Sequence, residues 1–343
     1  MRGIIDFDIC YPSSRARVQE MHAQSGVSVA KILEITHCDD FPALGRNEKA
    51  WELALKAARS VIERTKVSPA MIRQVIYAGS GEWDTPFWSP AAKVAQQLGI
   101  DRAHCFEVAN FCNAGMTALQ VASDKIALGY ADNVLVLVAD RLSQMVDYSD
   151  PDSKELFNFG DAAAAILLAR DRCIFRLLHS AMRTDPAWSD YYAGERRMGR
   201  VAIRRKSHHK GLATAYVENF SSLVDDTLAT LERKMSDVAY FLINQGDKRM
   251  HERLVHTLGI PPEKSVYNYH RLGHMGGSDT LIALQDLLAE QKLQHGDLIL
   301  LATSAMGFSW GITALEYRNE NPHHSSGPVP KDGLSPRHRP RSP

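Results

Sequence analysis

The sequence predicts an α/β fold built from two similar halves, and three observations support that prediction. The chain has 343 residues, of which 45% are hydrophobic, so it can bury a large core. Segments with helical period alternate with short apolar runs of strand type, which is typical of layered α/β proteins. The order of these segments in the first half of the chain recurs in the second half. We therefore expect two domains or one large duplicated domain.

The first half begins with a strand and continues through helix-and-strand steps. Beyond that first strand, residues 1–45 contain no informative pattern. The last two predicted strands are continuous apolar runs, as expected of strands covered on both faces. In chain order we predict a strand at 4–9, a helix at 48–62, a strand at 74–79, a helix ending at Leu98, a strand leading to Cys112, a helix ending before Gly129, and strands at 134–140 and 157–168.

The second half repeats this order. A helix at 223–235 and a strand at 238–244 correspond to the earlier helix and strand at 53–79, and the pattern continues to an apolar strand at 298–303 and a glycine-marked strand at 305–315. In this comparison His274 occupies the turn equivalent to that of Cys112. Two halves related by a pseudo-twofold axis would bring both residues to one site. We place the halves at residues 1–172 and 173–318.

Composition excludes several classes of protein. Lys+Arg and Asp+Glu are each 40, so the formal charge is zero and no basic surface predicts a nucleic-acid partner. The five cysteines are irregularly spaced without a CxxC motif, which indicates reduced thiols and neither a disulfide framework nor a metal site. We find no signal peptide and no apolar run of about 18 residues. We expect a soluble, cytoplasmic protein that is not associated with a membrane.

Cys112 is the candidate nucleophile. A short apolar strand precedes it, small residues follow it, and apolar residues then recur at helical spacing. A thiol at such a strand-to-helix turn faces free N–H groups and the positive end of the helix, which favour the thiolate. The alternative interpretation is a buried structural cysteine.

The motifs together resemble the ketoacyl synthase III branch of the thiolase superfamily over about residues 1–318. That resemblance implies a duplicated five-layered αβαβα thiolase-like fold. It also implies a cysteine that takes an acyl group from a coenzyme A or acyl-carrier-protein thioester, with no permanently bound cofactor, and a homodimer in which the loop holding Phe87 closes the acyl pocket. The resemblance rests on residues 110–115, 159–161, 270–273 and 307–311.

The sequence departs from the family pattern at the condensing pair. In the family a histidine and an asparagine assist decarboxylation of a malonyl thioester. Here Asn244 stands at the motif that normally supplies the histidine, and His274 stands at the motif that normally supplies the asparagine. Five residues after His274, Asp279 would orient the imidazole and stabilise its charged form. This arrangement resembles acyltransferase-like relatives in secondary metabolism that use Cys or Ser with His and Asp.

The sequence thus predicts a Cys112–His274–Asp279 triad that forms an acyl-cysteine and passes the acyl group to a hydroxyl, amine or thiol. The predicted oxyanion hole consists of the backbone N–H groups of Cys112 and Met306. Asn244, Phe87 and Gly307 are candidate substrate-positioning residues.

Three alternatives stay open. In the first, His274 is only a packed side chain and Asp279 only caps a helix. In the second, Asn244 and His274 support decarboxylative condensation as in a 3-oxoacyl-ACP synthase III. In the third, the chain is a non-catalytic partner of an active paralogue. The Pro-rich residues 319–343 have no core-forming pattern, and we predict a disordered tail there.

Overall fold

The computed structural model describes residues 2–197, 199–207 and 209–319. The predicted tail therefore lies outside the described residues, except for Asn319. The described strands are β1 (Gly3–Cys10), β2 (Arg15–Arg17), β3 (Asp40–Pro42), β4 (Ile72–Gly79), β5 (His104–Ala109), β6 (Asn133–Ala139), β7 (Ala163–Ala169), β8 (Phe175–Thr184), β9 (Tyr192–Arg197), β10 (Arg200–Arg205), β11 (Val238–Ile243), β12 (Leu298–Ala305) and β13 (Ser309–Tyr317).

The helices connect these strands on both faces of the sheet. They are α1 (Val18–Ser25), α2 (Val29–Thr36), α3 (Ala50–Thr65), α4 (Pro90–Leu98), α5 (Ala114–Ala127), α6 (Leu212–Thr230), α7 (Lys248–Thr257) and α8 (Asp279–Ala289). Short 3₁₀ turns at Phe111–Asn113 and Gly276–Ser278 lead directly into α5 and α8. Within the described residues, no helix has the length and hydropathy needed to cross a bilayer.

Sheet topology confirms the predicted α/β architecture. Among the described residues, nine strands form one sheet in the order β11-β12-β13-β8-β1-β7-β6-β4-β5. From β1 outward the first half runs β1-β7-β6-β4-β5, and from β8 outward the second half runs β8-β13-β12-β11. These orders are the same if β8 stands for β1 and β11 for β4. The halves join where Gly3 and Ile4 of β1 pair with β8.

The layers follow from alternation along the strands. In β6, Val134, Val136 and Val138 point to a central core that also contains α5 and α8, whereas Leu135 and Leu137 point to an outer core under α3 and α4. The second half packs its other face under α6 and α7. The order outer helices, first half of the sheet, central helices, second half of the sheet, outer helices gives the five predicted layers.

Several predicted boundaries were wrong. The helix predicted at 223–235 begins at Leu212 and ends at Thr230, because helical spacing alone did not reveal the first three turns. The strand predicted at 157–168 begins only at Ala163. Residues 157–162 instead form a turn in which buried backbone and carboxylate groups bond to neighbouring loops, which is where the site begins.

Candidate active site

Cys112 lies where β5 ends and α5 begins. Phe111, immediately before it, has a φ of 49°, a left-handed conformation that turns the chain sharply into the 3₁₀ turn Phe111–Asn113. The side chain of Cys112 is buried, with 7% of its surface exposed. The structure therefore places this thiol at the strand-to-helix turn that the sequence predicted.

Backbone hydrogen bonds with residues 158–160 hold the turn that carries His274. The N–H of His274 donates to the carbonyl of Asn158 at 2.7 Å, and the N–H of Gly160 donates to the carbonyl of His274 at 3.0 Å. A Cβ at Gly273 would lie 2.1 Å from the Asn158 carbonyl oxygen, so only glycine allows this approach. The turn at 157–162 thus fixes the position of the His274 backbone.

Cys112, His274 and Asp279 form one hydrogen-bonded chain. Cys112 Sγ lies 3.2 Å from His274 Nε2, and His274 Nδ1 lies 2.5 Å from Asp279 Oδ2. All three side chains are buried. Asp279 also accepts from the backbone N–H of Gln245 at 2.7 Å and of Met275 at 2.9 Å. These two donors hold the carboxylate in the orientation that the imidazole needs.

The electrostatics of this chain favour a charged imidazole. Burial opposes the charge on His274, but the charges of Cys112 and Asp279 and the hydrogen bonds to both raise the pKa of His274 well above its ordinary value. The arrangement can therefore hold a proton on His274 directly beside Cys112 Sγ.

The two turns meet through glycines. A Cβ at Gly277 would lie 3.2 Å from the carbonyl oxygen of Cys112, and a Cβ at Gly115 would lie 3.5 Å from the carbonyl oxygen of Gly277. The Cβ at Gly277 would crowd the turn of Cys112, whereas the Cβ at Gly115 would make an ordinary contact with Gly277 and crowd Val138 at 3.2 Å. The small residues after Cys112 and His274 therefore allow the short distance between thiol and imidazole.

Two cavities open from Cys112, and Phe159, Tyr192 and Met306 line both of them. The first, which we call the acyl chamber, has a volume of about 400 Å³ and mainly apolar walls that include Leu142. The second, which we call the acceptor chamber, has a volume of about 440 Å³. Its walls contain polar groups, namely His274, Asn244, Ser304, Tyr216, Asp247, Glu155 and Arg205.

Asn244 lies on the wall of the acceptor chamber, but its side-chain amide bonds to the backbone of Ser304. Asn244 Nδ2 donates to the Ser304 carbonyl at 3.2 Å, and Asn244 Oδ1 accepts from the Ser304 N–H at 3.1 Å. Both ends of the amide are therefore engaged in joining β11 to β12. Met306 and Gly307 lie in the turn after β12, where Gly307 has a φ of 92°.

The three aromatic residues of the predicted wall line neither chamber. Phe87 is fully exposed and lines neither cavity in the described chain. Trp83 packs edge-on against Tyr77, with ring centroids 5.3 Å apart, and Trp88 packs against Trp51 at 6.2 Å. The predicted apolar wall of Trp83, Phe87 and Trp88 is therefore absent from this chain's own chambers, because Trp83 packs against the outer core and Trp88 packs against Trp51.

Comparison with known proteins identifies the family. The family model 3-Oxoacyl-[acyl-carrier-protein (ACP)] synthase III matches residues 106–186, and the model of its C-terminal part matches residues 228–317. The chain is a ketoacyl synthase III-like protein. It has the thiolase fold and is a transferase-type enzyme.

Individual proteins agree with this assignment. A β-ketoacyl-[acyl-carrier-protein] synthase III of Aquifex aeolicus is 27% identical over 277 residues, covering 80% of this chain and 86% of the relative. The crystal structure of a 3-oxoacyl-[acyl-carrier-protein] synthase III from Aquifex aeolicus superposes with a TM-score of 0.83 at 25% identity, covering 92% of this chain and all of the other. The priming β-ketosynthase of the R1128 polyketide pathway shares the fold, with a TM-score of 0.83 at 19% identity over 94% of this chain and 97% of that one.

Sequence reasoning missed the side chains that hold the nucleophile turn of this synthase III-like protein. Asn113 is fully buried. Its Nδ2 donates to Ser309 Oγ at 3.0 Å, and its Oδ1 accepts from the hydroxyl of Thr303. The turn that carries the thiol is thereby joined to β12 and β13 of the other half. The position of Asn113 beside Cys112 was the available signal, but its partners are distant in sequence.

Two buried carboxylates near the chambers were also missed. Asp140 accepts from the N–H and the hydroxyl of Ser80, which lines the acyl chamber, and burial raises the pKa of Asp140 to about 7. Asp161 accepts from the N–H groups of Leu44 and Ser143, and burial raises its pKa to about 6 despite these bonds. Within the described residues, no group of His, Cys, Asp and Glu side chains is arranged to hold a metal ion.

Proposed function

We propose that this chain is an acyltransferase of secondary metabolism. It forms an acyl-Cys112 intermediate from an acyl-CoA or acyl-carrier-protein thioester and passes the acyl group to an acceptor hydroxyl, amine or thiol. The observation that carries the proposal is the buried hydrogen-bonded chain from Cys112 through His274 to Asp279. A nucleophile, a base and a group that orients the base are the parts that acyl transfer requires.

In the first step His274 Nε2 holds the proton of the Cys112 thiol. The thiolate attacks the thioester carbonyl, the new C–S bond forms, and the donor C–S bond breaks. His274 then gives its proton to the departing thiolate, which leaves as the free thiol. Asp279 keeps the proton on Nδ1 of His274, so that Nε2 is the nitrogen that exchanges it.

The carbonyl oxygen becomes negatively charged during this attack. We assign its two donors as the backbone N–H groups of Cys112 and Met306, because both residues border the point where the two chambers meet. By analogy with other acyl-transfer sites, each donor contributes about 2.7–4 kcal/mol to the transition state.

In the second step His274 accepts a proton from the acceptor, which attacks the acyl-Cys112 carbonyl and releases the thiol. The acceptor chamber suits this step because it contains His274 and several polar walls. Asn244 gives this reading specific support. Its amide is bonded to the backbone of Ser304 at both ends, so it is less available to hold a malonyl carboxylate or an enolate.

Decarboxylative condensation is the second candidate function. The names of the relatives favour it over acyl transfer to a heteroatom, because they are β-ketoacyl-ACP synthases III. In this reading acyl-Cys112 forms in the same way, the acceptor is a malonyl thioester, and carbon dioxide is released as the carbon–carbon bond forms. Asn244 Nδ2 has a second N–H that could assist there.

The first experiment tests the acyl-enzyme. The full chain is incubated with acyl-CoA and acyl-pantetheine thioesters from acetyl to decanoyl, and intact-protein mass spectrometry records the added acyl mass. We expect one acyl group on Cys112 and no mass increase in Cys112→Ala. Labelling at Cys10, Cys38, Cys105 or Cys173 instead would contradict the assignment.

A second experiment separates the two fates of the acyl group. Acyl-enzyme is mixed with malonyl-CoA, or with a panel of small alcohols, amines and thiols. Acyl transfer predicts loss of the acyl mass with the heteroatom acceptors and no carbon dioxide from malonyl-CoA. Release of carbon dioxide together with a 3-oxoacyl product would establish condensation.

The non-catalytic alternative makes a different prediction. A silent partner subunit needs no activated thiol, whereas a thiolate paired with an imidazolium reacts selectively. Iodoacetamide at neutral pH should therefore modify Cys112 before the other cysteines, despite its burial, because the two chambers give access to it. Equal reactivity of all accessible cysteines would favour the silent partner.

We also propose that the chain is a homodimer. Phe87 is fully exposed with a φ of 51°, and β5 is an edge strand that carries the exposed Phe111 after it. An exposed aromatic loop beside an unpaired edge indicates an interface. Sedimentation velocity should give the mass of two chains, and Phe87→Asp should shift the equilibrium towards one.

A further inference from the structure

The β9–β10 hairpin forms a wall of both chambers without belonging to the large sheet. Within the part of the chain that the structure describes, its two strands pair only with each other. Along the inner face of the hairpin, Val201 and Ile203 line the acyl chamber, whereas Tyr192 and Arg205 are opposite each other and line the acceptor chamber. A lone two-stranded hairpin is marginally stable in water. Its position must therefore depend on side-chain contacts.

Arg204 makes the main contact from the outer face. Its guanidinium bonds to the Asp147 carboxylate, to Asp150 Oδ2 at 2.6 Å and to Ser153 Oγ at 2.9 Å. The side chain of Arg204 is 9% exposed and that of Asp147 is 8% exposed. Hydrogen bonds from Ser149 and from Arg204 lower the pKa of Asp147 to about 2, so the pair is charged at neutral pH.

These carboxylates belong to a segment that passes around β10. Leu142 and Met145, which precede these carboxylates in the chain, line the acyl chamber. The chain then runs behind the hairpin at 147–153 and returns at Glu155 to line the acceptor chamber. Arg204 therefore fixes the distance between the two facing walls of the acyl chamber, Val201 and Ile203 on one side and Leu142 and Met145 on the other.

Arg205 makes the corresponding contact on the inner face. Its Nη1 donates to Glu155 Oε1 at 2.9 Å, and Tyr192 OH donates to Glu155 Oε2 at 3.3 Å. The guanidinium also lies 5.0 Å from the ring centre of Tyr191. Glu155, Tyr191 and Arg205 line the acceptor chamber, and Tyr192 lines both chambers. Two neighbouring arginines thus hold the same hairpin, one for each chamber.

We propose that Arg204 and Arg205 are positioning residues that set selectivity separately: Arg204 determines which acyl groups fit the acyl chamber, and Arg205 determines how well the acceptor is held. The planar guanidinium forms several directed hydrogen bonds at once, which a more mobile cation does not reproduce. This inference rests on the proposed acyl-enzyme, but it applies to either fate of the acyl group.

The test for Arg204 is the selectivity of acylation. Single-turnover acylation of Cys112 is measured by mass spectrometry with acyl-pantetheine thioesters from acetyl to decanoyl. In Arg204→Met the chamber walls are released, so the ratio of rates between the preferred and the disfavoured chain length should fall about tenfold. Arg204→Lys should fall between this variant and the wild type, because it keeps the charge and loses the fork.

The test for Arg205 uses free pantetheine as the acceptor thiol. Pantetheine attacks acyl-Cys112, the acyl group leaves as acyl-pantetheine, and the Cys112 thiol is regenerated. Arg205→Met should raise the half-saturating pantetheine concentration about tenfold while the chain-length ratio stays at the wild-type value. Arg204→Met should show the opposite combination.

The matched control is Arg200→Met. Arg200 lies on the same strand and contacts the same Asp147 at 3.7 Å, but its side chain is 52% exposed. We expect neither quantity to change in this variant. Equal effects of Arg204→Met and Arg205→Met on both quantities, or an unchanged chain-length ratio in Arg204→Met, would overturn the inference.

Two further measurements keep the test decisive. If Arg204→Met unfolds because the buried Asp147 carboxylate loses its main ion pair, the double variant Arg204→Met/Asp147→Asn removes both charges and takes its place. A wild-type chain that accepts no acyl group from any thioester would refute the proposed function. A wild-type chain that is acylated while both variants retain its selectivity refutes only the roles of the arginines.

Discussion

The two central turns have the same plan but are held in place by different means. In the first half, β5 pairs in parallel with β4 over its full length, and this backbone ladder delivers the chain to Cys112. In the second half, the equivalent residues 265–268 form no strand. The side chain of Gln245 joins them instead, because its Oε1 accepts from the N–H of Asn268 at 3.0 Å and its Nε2 donates to the carbonyl of Val266 at 3.1 Å.

The segments that lead to Cys112 and to His274 therefore differ in how they are held. A backbone ladder depends little on which side chains are present, whereas a side-chain network changes with each residue in it. The strand that leads to Cys112 is therefore held by its backbone, and the segment that leads to His274 by a side chain, whereas each turn itself has further contacts, such as those of Asn113. The backbone N–H of Gln245 also donates to Asp279, so the same residue supports both the loop and the triad.

The largest effect is expected from removing the base itself. His274→Ala should slow acylation of Cys112 by about 10²–10⁴-fold, the usual contribution of a general base. Rapid-quench mass spectrometry with one accepted thioester measures the rate. Asn244→Ala is the matched control, because it lines the same chamber and should spare acylation. A wild-type rate in His274→Ala would contradict the triad.

A smaller loss is expected at Asp279. Asp279→Asn should slow acylation about a hundredfold, at the lower end of the range for acid–base catalysis, because the amide no longer fixes the Nδ1–H tautomer of His274. The amide also cannot accept from Gln245 and Met275 with both of its atoms. The pH dependence of the acylation rate should shift in this variant. An unchanged rate and profile would mean that Asp279 only caps α8.

The comparison between the halves is tested directly at Gln245. Gln245→Ala removes three side-chain hydrogen bonds from a residue that is 1% exposed and leaves the N–H of Asn268 without its partner. We expect a loss of about 3 kcal/mol in the free energy of unfolding, together with slower acylation. Chemical denaturation measures the first quantity. A Gln245→Glu variant can still accept from Asn268, but it places a buried carboxylate oxygen against the carbonyls of Ile243 and Val266, so it should lose at least as much at neutral pH.

The smallest effect is a pH dependence of the same region. His251 is buried, its Nε2 lies 2.8 Å from Ser265 Oγ, and its ring stacks on Tyr267 with centroids 4.2 Å apart. Burial lowers the pKa of His251 to about 3 in the folded chain. The unfolded chain binds a proton near pH 6.5, so folding loses stability as the pH falls below that value.

Between pH 7 and pH 5 this loss should amount to about 2 kcal/mol. Unfolding free energies measured at both pH values provide the test. His251→Gln cannot titrate and should remove that part of the pH dependence. An equally steep loss of stability at acid pH in His251→Gln would show that other groups cause it. Buried carboxylates contribute a loss in this direction only where folding lowers their pKa.

The sequence predicted the architecture because the architecture depends on periodicity. Buried strands such as 134–140 and the helix after Cys112 have patterns that do not depend on distant partners. The repeat of those patterns in the second half indicated that Cys112 and His274 share a site. The start of α6 and the turn at 157–162 were predicted incorrectly, because their contacts come from other parts of the chain.

The sequence by itself determined the duplicated α/β fold, the position of the candidate nucleophile, and the exchange of His and Asn between the two motifs. Only the tertiary structure decided that Asn244 bonds to Ser304, that Asn113 joins the two halves, and that Arg204 holds a chamber wall. The physical reason is the range of the interactions. Periodicity and turn chemistry are local, whereas a buried hydrogen bond or ion pair joins groups far apart in sequence, and no single-sequence pattern encodes their distance.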